Sequence, residues 1–494
     1  MLKKKLPKVA PLFSKKSKFG KKSQMEIKLP DTIEACHSMI RELLAVIAVL
    51  ENRVKDLERR LGQNSGNSHR PPSSDGFKKK AALVGKQHKR GGQQGHKGNT
   101  LKMVGQPDTV VVLKAEVCAG CGKSISGKKT RYRLLNRRQV FDLPTELRLY
   151  STEYQNYGCH CSGCGKYNEG QYPQDVCAPV QYGSGVRALV TLLHQRGCMS
   201  VSKIKALFGD LFSAPINEAT ILQSQHTAYA YLAQEEAHIA TCLQQSQVVH
   251  ADESGIRVAN KGHWLHTLGN GLYTYQFVHK NRGVAAHEQQ QTFLKDYKGW
   301  LIHDFYPFYF RFTQARHAVC NAHVLRELQE QSEAGRVWAK EFKAYLLQLY
   351  EQTAQGNSKL SEEAQRTAHQ KYRQLLEMGY EQEPPAQPPA SGKGRPKNTK
   401  GNNLLVRLDK KQDAVLAFAW HEAVPFTNNQ AERDIRPAKV RLKVAGCFRT
   451  VKGAQVYARI NSFLSTVRKH GLNAFYELVN IFNRNIPTYR ILCT

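Results

Sequence analysis

The sequence lacks the features that would place it in a membrane or outside the cell. No apolar run approaches the roughly 18 residues of a membrane-spanning helix, and the longest candidate extends only from Leu43 to Leu50. The lysine-rich start has neither an apolar signal core nor a small-residue cleavage site. We therefore expect a cytoplasmic protein without a membrane partner, whose 12 cysteines serve as metal ligands or buried thiols rather than as disulfides.

Acidic residues are also scarce. The 494 residues include 40 Asp and Glu against 73 Lys and Arg, which gives a formal net charge of +33. The basic residues cluster in residues 1–30, 70–102 and 433–470, whereas residues 331–383 mix both signs. This clustering favours a polyanionic partner, foremost double-stranded DNA, and a nucleoid-associated location. A basic surface that only confers solubility is the alternative.

Residues 31–62 carry a heptad pattern. β-branched residues and leucines recur in an a/d seam that ends before Gly62, which favours a parallel two-stranded coiled coil and thus a homodimer or higher oligomer. An amphipathic helix packed on its own domain is the alternative. The a positions are Ile33, Ile40, Ile47, Val54 and Leu61, and the d positions are Cys36, Leu43, Leu50 and Leu57.

Three further segments carry weaker patterns. Residues 1–30 are basic and interrupted by prolines, which predicts a disordered tail. Residues 63–105 contain many helix and strand breakers, and we interpret them as a basic arm that orders on DNA, with Lys97 as a candidate contact, or as a solvated linker. Residues 181–246 are predicted to be helical, as a helix-turn-helix DNA reader or as a plain connector.

Residues 106–180 contain two Cys-x-x-Cys pairs. Two such pairs on short loops can bring four thiolates around one structural Zn²⁺, so a small zinc-ribbon-like domain is predicted, with strand-like segments at 110–113, 137–143 and 147–154. Reduced structural cysteines are the alternative, and Cys159 is a spare thiol that could replace Cys161. The four predicted ligands are Cys118, Cys121, Cys161 and Cys164.

The sequence pattern changes from helical to β-rich in residues 247–330. Three short β-rich runs are followed by a polar, helical stretch at 283–297 and by a buried-looking run at 299–309. Three antiparallel strands, a helix and a fourth strand are the order of a ribonuclease-H-like core. Asp252 lies inside the first strand and Asp304 ends the fourth, so both should reach one edge of the sheet. An Asp in an apolar strand is costly unless it is paired or binds a cation.

A third carboxylate would complete a two-metal site for phosphoryl transfer. Glu432 is the best candidate, because Asn428 or Thr427 can cap its helix and basic residues surround it. Glu432 follows Asp304 by 128 residues, so we expect a helical insertion at residues 331–427, with a helix within 331–380 and a Pro/Gly-rich flexible return. Residues 428–494 then form the second part of the core and the C-terminal helices.

Several motifs together resemble the insertion-sequence-66-type transposases of bacteria, which belong to the DDE superfamily. They are spread over most of residues 30–482, so the resemblance covers the architecture as well as the site. Beside the paired cysteine motif, they are RPPSSDG at 70–76, GGQQGHKGNTL at 91–101, HADES at 250–254, HDFYPFY at 303–309, CNAHVLREL at 320–328 and NNQAERDIRP at 428–437.

The resemblance implies a DNA strand-cleaving and strand-joining enzyme with two Mg²⁺ per active site. It implies that Asp252, Asp304 and Glu432 are the catalytic triad, and that His323 contacts a phosphate or water, with a second metal site as the alternative. It also implies a zipper-like N-terminal region, a zinc-binding DNA-contact domain and accessory transposition proteins. A domesticated or inactive DNA-binding protein and a stand-alone nuclease are the alternatives. Arg433, Arg436 and Lys439 are the further candidate DNA contacts.

Overall fold

The computed structural model describes residues 32–64, 66–68, 101–125, 131–173, 175–356, 360–386 and 398–492. The chain divides into two compact units, residues 1–63 and residues 64–494. The predicted basic tail, Asp31, Cys493, Thr494 and most of the predicted basic arm, including Lys97, lie outside the described residues. Among the helices in the described ranges, none is both long and apolar enough to cross a membrane.

The first unit contains one long helix, α1 (Ile33–Leu61). Its bounds agree with the predicted heptad segment, and the chain turns at Gly62 where the pattern stops. Apart from the partly buried Cys36, the a and d side chains are exposed, as Ile40, Leu43 and Leu50 illustrate with 52%, 54% and 53% of their surface accessible. The helix is thus as predicted, and an apolar seam remains available on its surface.

The second unit begins with two small hairpins around the cysteine pairs. An antiparallel bridge joins Val117 to Ser124 around the first pair, and strands β1 (Gly158–His160) and β2 (Tyr167–Glu169) pair around the second. The strand-like segments predicted at 110–113, 137–143 and 147–154 are not strands. The described structure pairs them with no neighbouring strand, and a strand needs such a ladder.

Residues 181–246 are helical, as predicted. Ser200 and Asn217 cap the second and third helices, because their side chains accept hydrogen bonds from the backbone N–H groups of Lys203 and Ala219. The helices are α2 (Ser184–Gln195), α3 (Val201–Phe212), α4 (Glu218–Tyr231) and α5 (Ala233–Gln244).

A mixed five-stranded sheet follows, formed by β3 (Val248–Val258), β4 (Lys261–Gly269), β5 (Thr274–His279), β6 (Trp300–His303) and β7 (Arg316–Val319). Their spatial order is β5-β4-β3-β6-β7. The first three strands form an antiparallel meander, and the last two run parallel to β3. The predicted order of three strands, a helix and a fourth strand is present, but β7 was not predicted, because its four residues are too few to show a pattern. The helix between β5 and β6 is α6 (Val284–Gln289).

The predicted insertion is helical, and its helices bury a core with β6 and β7 that includes Trp338, Phe342 and Tyr372. Two helices replace the single predicted one, because Ser361 caps a second helix. The end of the predicted flexible return is helical instead. The Thr399 hydroxyl accepts the N–H of Asn402 and caps a helix that begins at Lys400. The elements are α7 (Asn321–Glu333), α8 (Val337–Gly356), α9 (Glu362–Gln382), α10 (Lys400–Lys410) and α11 (Gln412–Trp420).

The C-terminal helices pack against the antiparallel strands β3, β4 and β5. A second core joins apolar side chains of this segment, such as Phe463 and Leu478, to β3, β4, β5 and the helices of residues 184–244. This packing places the start of the first C-terminal helix beside β3. The helices are α12 (Asn429–Ala445), α13 (Val451–Lys469), α14 (Ala474–Phe482) and α15 (Thr488–Leu492).

Candidate active site

The parallel pairing of β3 and β6 sets Asp252 and Asp304 side by side. His250 pairs with Ile302, and two residues further along both chains the same register reaches Asp252 and Asp304. Asp304 lies one residue beyond the end of β6, rather than being its last residue as predicted. Since neighbouring strands are ~4.8 Å apart and side chains alternate between faces, this register puts the two carboxylates on one face, with Asp252 in the middle of β3 and Asp304 just beyond the carboxyl end of β6.

The pKa of Asp252 reflects its burial close to other carboxylates. Burial raises the pKa of Asp252 to about 8, and the nearby charges of Glu253 and Asp304 act in the same direction. Lys439 of α12 and the N–H of Glu253 act in the opposite direction. Carboxylates that repel one another in a recess are a favourable place for a divalent cation.

Each aspartate is held by the backbone that follows it. The N–H of Glu253 donates to Asp252 Oδ1, and the N–H of Tyr306 donates to Asp304 Oδ1, both at 2.9 Å. Arg282 connects these two segments: its Nε donates to Glu253 Oε1 at 2.7 Å, and its guanidinium lies 3.8 Å from the centre of the Tyr306 ring. The segments that orient the two aspartates are thus joined through one arginine.

Glu253 is itself a buried carboxylate, with 1% of its side chain exposed. Tyr309 donates its hydroxyl to the second carboxylate oxygen at 2.5 Å, so that both oxygens of Glu253 have partners. Burial raises the pKa of Glu253, while the bonds from Tyr309 and Arg282 lower it. Sequence reasoning missed this group, although an acid beside Asp252 in a mostly apolar strand was a signal for it.

Asn428 anchors the start of α12 to β3. Its Nδ2 donates to the carbonyl of Ala251 at 2.8 Å, and its Oδ1 accepts from His250 Nδ1 at 2.9 Å. Asn428 occupies the N-cap position, as predicted, but its side chain makes no capping bond. The amide is already engaged by the strand, so the predicted cap becomes a link between helix and sheet.

Glu432 lies in the first turn of α12, near Cys320 and His323. One donor atom from each of the three lies within 4.8 Å of the other two, and this is the group of three or more metal-ligand side chains found in the described part of the chain. Asp252 and Asp304 are not members of it. The predicted residues thus form two sets, Asp252 with Asp304 and His323 with Glu432. Asn428 links the two sets, because its side chain bonds to Ala251 and its backbone N–H donates to Cys320 Sγ at 3.1 Å.

A buried ion pair fixes α12 against α13. Asp434 is fully buried and lies 2.7 Å from Lys469 Nζ, which is 7% exposed. Thr274 and Ser465 also donate to the Asp434 carboxylate, each at 3.2 Å. Because Asp434 is two residues beyond Glu432, this network restricts the part of the helix that carries the predicted carboxylate.

The predicted basic cluster at 433–470 divides into inward and outward side chains. Lys469 pairs with Asp434, Arg459 with Glu236 at 2.6 Å, and Arg441 donates to the carbonyl of His194 at 2.7 Å. These three contribute to packing rather than to a DNA surface, which corrects the expectation for the whole cluster. The side chains named as DNA contacts, Arg433, Arg436 and Lys439, are exposed on α12.

The two cysteine pairs form loops of matching geometry. Cys118 N–H bonds to the carbonyl of Lys123, and Cys161 N–H to that of Lys166, both at 2.8 Å. Gly122 and Gly165, which follow the pairs, have φ of 70° and 72°, a conformation that favours glycine. Backbone N–H groups lower the pKa of Cys118 and of Cys161. In the described residues the four sulfurs do not form one close group.

The comparisons with known proteins agree with this architecture. Residues 179–456, more than half of the chain, match the model of the IS66 transposase family. Residues 24–102 match a family of unknown function. No curated protein matches the chain. The chain belongs to the IS66 transposase family.

Proposed function

We propose that this transposase cleaves and joins DNA strands at Asp252, Asp304 and Glu432, which are carried by a ribonuclease-H-like core. The observation that carries the proposal is the parallel pairing of His250 with Ile302, two residues before Asp252 and Asp304, together with the effect of the Asp304 charge on the pKa of Asp252. The link from Asn428 to Ala251 supports the assignment of Glu432, because it holds the start of its helix against the same strand.

The oxygen donors fit Mg²⁺, which prefers carboxylate ligands. The raised pKa of Asp252 supports this fit, since a cation between crowded carboxylates relieves their repulsion. Asp252, Asp304 and Glu432 would hold two Mg²⁺. When bound, these ions activate the attacking hydroxyl and stabilise the leaving oxygen of an in-line phosphoryl transfer.

The chain's own groups then position the DNA. Glu432, Arg436, Lys439 and Lys443 recur at helical spacing, so one face of α12 carries three cations behind the carboxylate. At 1.5 Å per residue these cations extend over roughly 10 Å, enough to contact successive phosphates. Arg433 borders this face, and His323 would contact a phosphate or a water.

The remaining segments support a role in recognising and pairing transposon ends. Cys118, Cys121, Cys161 and Cys164 would bind one structural Zn²⁺ in residues 106–180, and the lowered pKa of Cys118 and Cys161 suits thiolate ligation. The α1 seam would pair two subunits over residues 31–62. Residues 63–105, with Lys97, and residues 181–246 would contribute further DNA contacts.

The alternative is a DNA-binding protein without strand-transfer activity. A strand-transfer assay with the element's own flanking DNA, with and without Mg²⁺, separates the two. We expect Mg²⁺-dependent joining, which Asp304→Asn abolishes because Asn is neutral and binds the cation weakly. A mobility-shift titration over several salt concentrations should show retained DNA affinity, since that affinity comes mainly from Lys and Arg.

Two controls make the test decisive. Arg436→Gln should weaken DNA binding and reduce its salt dependence, while a like change at the partly buried Arg441 should act on folding instead. Joining by Asp304→Asn at the parental rate would exclude this active site. Absence of joining by the parent, with DNA binding intact, would favour the binding protein.

A further inference from the structure

Cys320, His323 and Glu432 form a cluster with a donor set unlike that of the two aspartates. Cys320 precedes α7, and His323 lies three residues later in its first turn, so both side chains lie on one side of the helix start. Glu432 approaches from α12, and the three donor atoms lie within 4.8 Å of one another. Two separate helices thus direct a thiol, an imidazole and a carboxylate at one point.

This donor set selects among metals. Mg²⁺ takes oxygen ligands, whereas a thiol and an imidazole together favour Zn²⁺ or a similar borderline-soft cation. Three protein ligands with one open position are common in zinc sites. Donor distances of about 2.0–2.3 Å to the ion would require the three groups to approach each other slightly, and the flexible side chain of Glu432 can supply that movement.

The surroundings of Cys320 also suit metal ligation. Burial of its sulfur raises the pKa of the thiol, but the sulfur accepts the N–H of Asn428 at 3.1 Å, and this bond would stabilise a thiolate. A bound divalent cation removes the proton of a ligating thiol. Arg326, the cation nearest to Glu432 among the described pairs, is 4.0 Å away, at the limit of an ion pair, so the carboxylate can turn toward another cation.

We propose that Cys320, His323 and Glu432 bind a thiophilic divalent cation, foremost Zn²⁺, in a site that competes with the catalytic Mg²⁺ site for Glu432. The binding site stands on the cluster itself, and only the competition rests on the proposed function. Zinc bound here would hold Glu432 away from Asp252 and Asp304, so the site would make strand transfer sensitive to zinc.

Cobalt(II) is the probe, because a cobalt–thiolate bond gives an intense charge-transfer absorption. The experiment uses the full chain with Cys118, Cys121, Cys161 and Cys164 all replaced by Ser, so that the proposed zinc ribbon cannot contribute. We expect about one equivalent of Co²⁺ to produce the absorption, Zn²⁺ to displace it, and Cys320→Ser to remove it. His323→Gln and Glu432→Gln should each weaken binding by about tenfold or more.

Cys242→Ser is the matched control. Cys242 Sγ lies 3.5 Å from His238 Nε2, but this Cys–His pair is not part of a group of three ligands in the described residues. The absorption should therefore survive Cys242→Ser. An absent absorption, or one that survives Cys320→Ser, would overturn the proposal. If Cys320→Ser fails to fold by circular dichroism, unchanged Co²⁺ affinity in both His323→Gln and Glu432→Gln would overturn it.

The readout is independent of the proposed function, because the titration needs neither DNA nor Mg²⁺. A chain that joins DNA but gives no cobalt absorption would exclude only the zinc site. A chain that binds Co²⁺ through Cys320 but never joins DNA would exclude only the strand-transfer activity.

Discussion

The side-chain amide of Asn428 donates a 2.8 Å hydrogen bond to the carbonyl oxygen of Ala251, the residue directly before Asp252. The same side chain accepts from His250 Nδ1 at 2.9 Å. Because Asn428 is the N-cap residue of α12, these bonds hold the helix that carries Glu432 against the strand that carries Asp252. One amide thus joins the two elements that the proposed site requires.

Replacing this amide should misplace Glu432. We expect Asn428→Ala to lower strand transfer by about 10- to 100-fold, since a displacement near 1 Å in an active site costs on that order. DNA affinity should stay within about twofold. Asn428→Asp should be as damaging, because a carboxylate cannot donate to Ala251. Asn403→Ala, an exposed change on α10, is the control, and parental activity in Asn428→Ala would contradict the prediction.

The pKa of Asp252 predicts a pH-dependent stability. Burial and the neighbouring carboxylates raise this pKa to about 8 from an ordinary 3.8. Without metal, the folded state therefore binds the proton more tightly than the unfolded chain, and stability falls as the pH rises through this window. Asp252→Asn cannot ionise. At pH 8 without Mg²⁺ the variant should be more stable than the parent, on the order of 2 kcal/mol, and near pH 4 the difference should vanish.

Added Mg²⁺ should make the parent more stable than Asp252→Asn at pH 8. A cation bound at the proposed site would stabilise the ionised parent by binding the folded state, whereas Asp252→Asn would lack a charged ligand and should gain little. Urea unfolding at pH 4 and pH 8, with chelator or with Mg²⁺, measures both effects. Asp296→Asn, at an exposed position, is the control. Equal pH dependence in the parent and in Asp252→Asn would exclude a raised pKa at Asp252.

The Glu253–Arg282 pair allows a double-mutant cycle. Glu253 has 1% of its side chain exposed and Arg282 has 34%. Arg282→Gln leaves a buried carboxylate without its cation, and we expect a loss of about 2 kcal/mol in the free energy of unfolding, below the usual cost of a fully buried pair because Arg282 is partly exposed. Adding Glu253→Gln should restore part of that loss. Additive effects of the two changes would show that the pair is not coupled.

The sequence predicted the parts of this fold that depend on local pattern. The β-rich runs and the breaks between them predicted β3, β4, β5 and β6. The expected ribonuclease-H-like strand order then predicted that Asp252 lies beside Asp304. The α1 heptads likewise gave the bounds of a helix. In each case the informative residues lie within a few positions of one another, so periodicity alone carries the information.

Contacts between distant residues were not predictable in this way. Asn428 and Ala251 are 177 residues apart, and a local pattern at 428 predicts a cap rather than a bond to a strand. The charge of Lys469 predicts a DNA contact, because the sequence shows that charge but not its partner Asp434. The four residues of β7 gained strand structure from their neighbour β6, not from their own composition.

The two cysteine hairpins predict a specific set of zinc ligands. Cys118 and Cys161 occupy equivalent positions in their loops, whereas Cys159 lies inside strand β1. Purified protein should contain about one zinc per chain, and Cys118→Ser should remove most of it and unfold residues 106–180. Cys159→Ser should leave the zinc content unchanged. Loss of zinc from Cys159→Ser with retention in Cys161→Ser would assign the fourth ligand to Cys159 instead.

The exposed seam of α1 predicts that subunits associate through it. Leu43 occupies a d position and is 54% exposed in the single chain, so pairing would bury it, whereas Ala45 occupies an outward f position of the same heptad. Leu43→Glu places a charge in the seam and should lower the oligomeric state, while Ala45→Glu should leave it unchanged. Sedimentation equilibrium on both variants measures the assembly, and a mobility shift on a single transposon end should show little change in DNA affinity. If Leu43→Glu sediments as the parental oligomer, α1 does not pair the subunits.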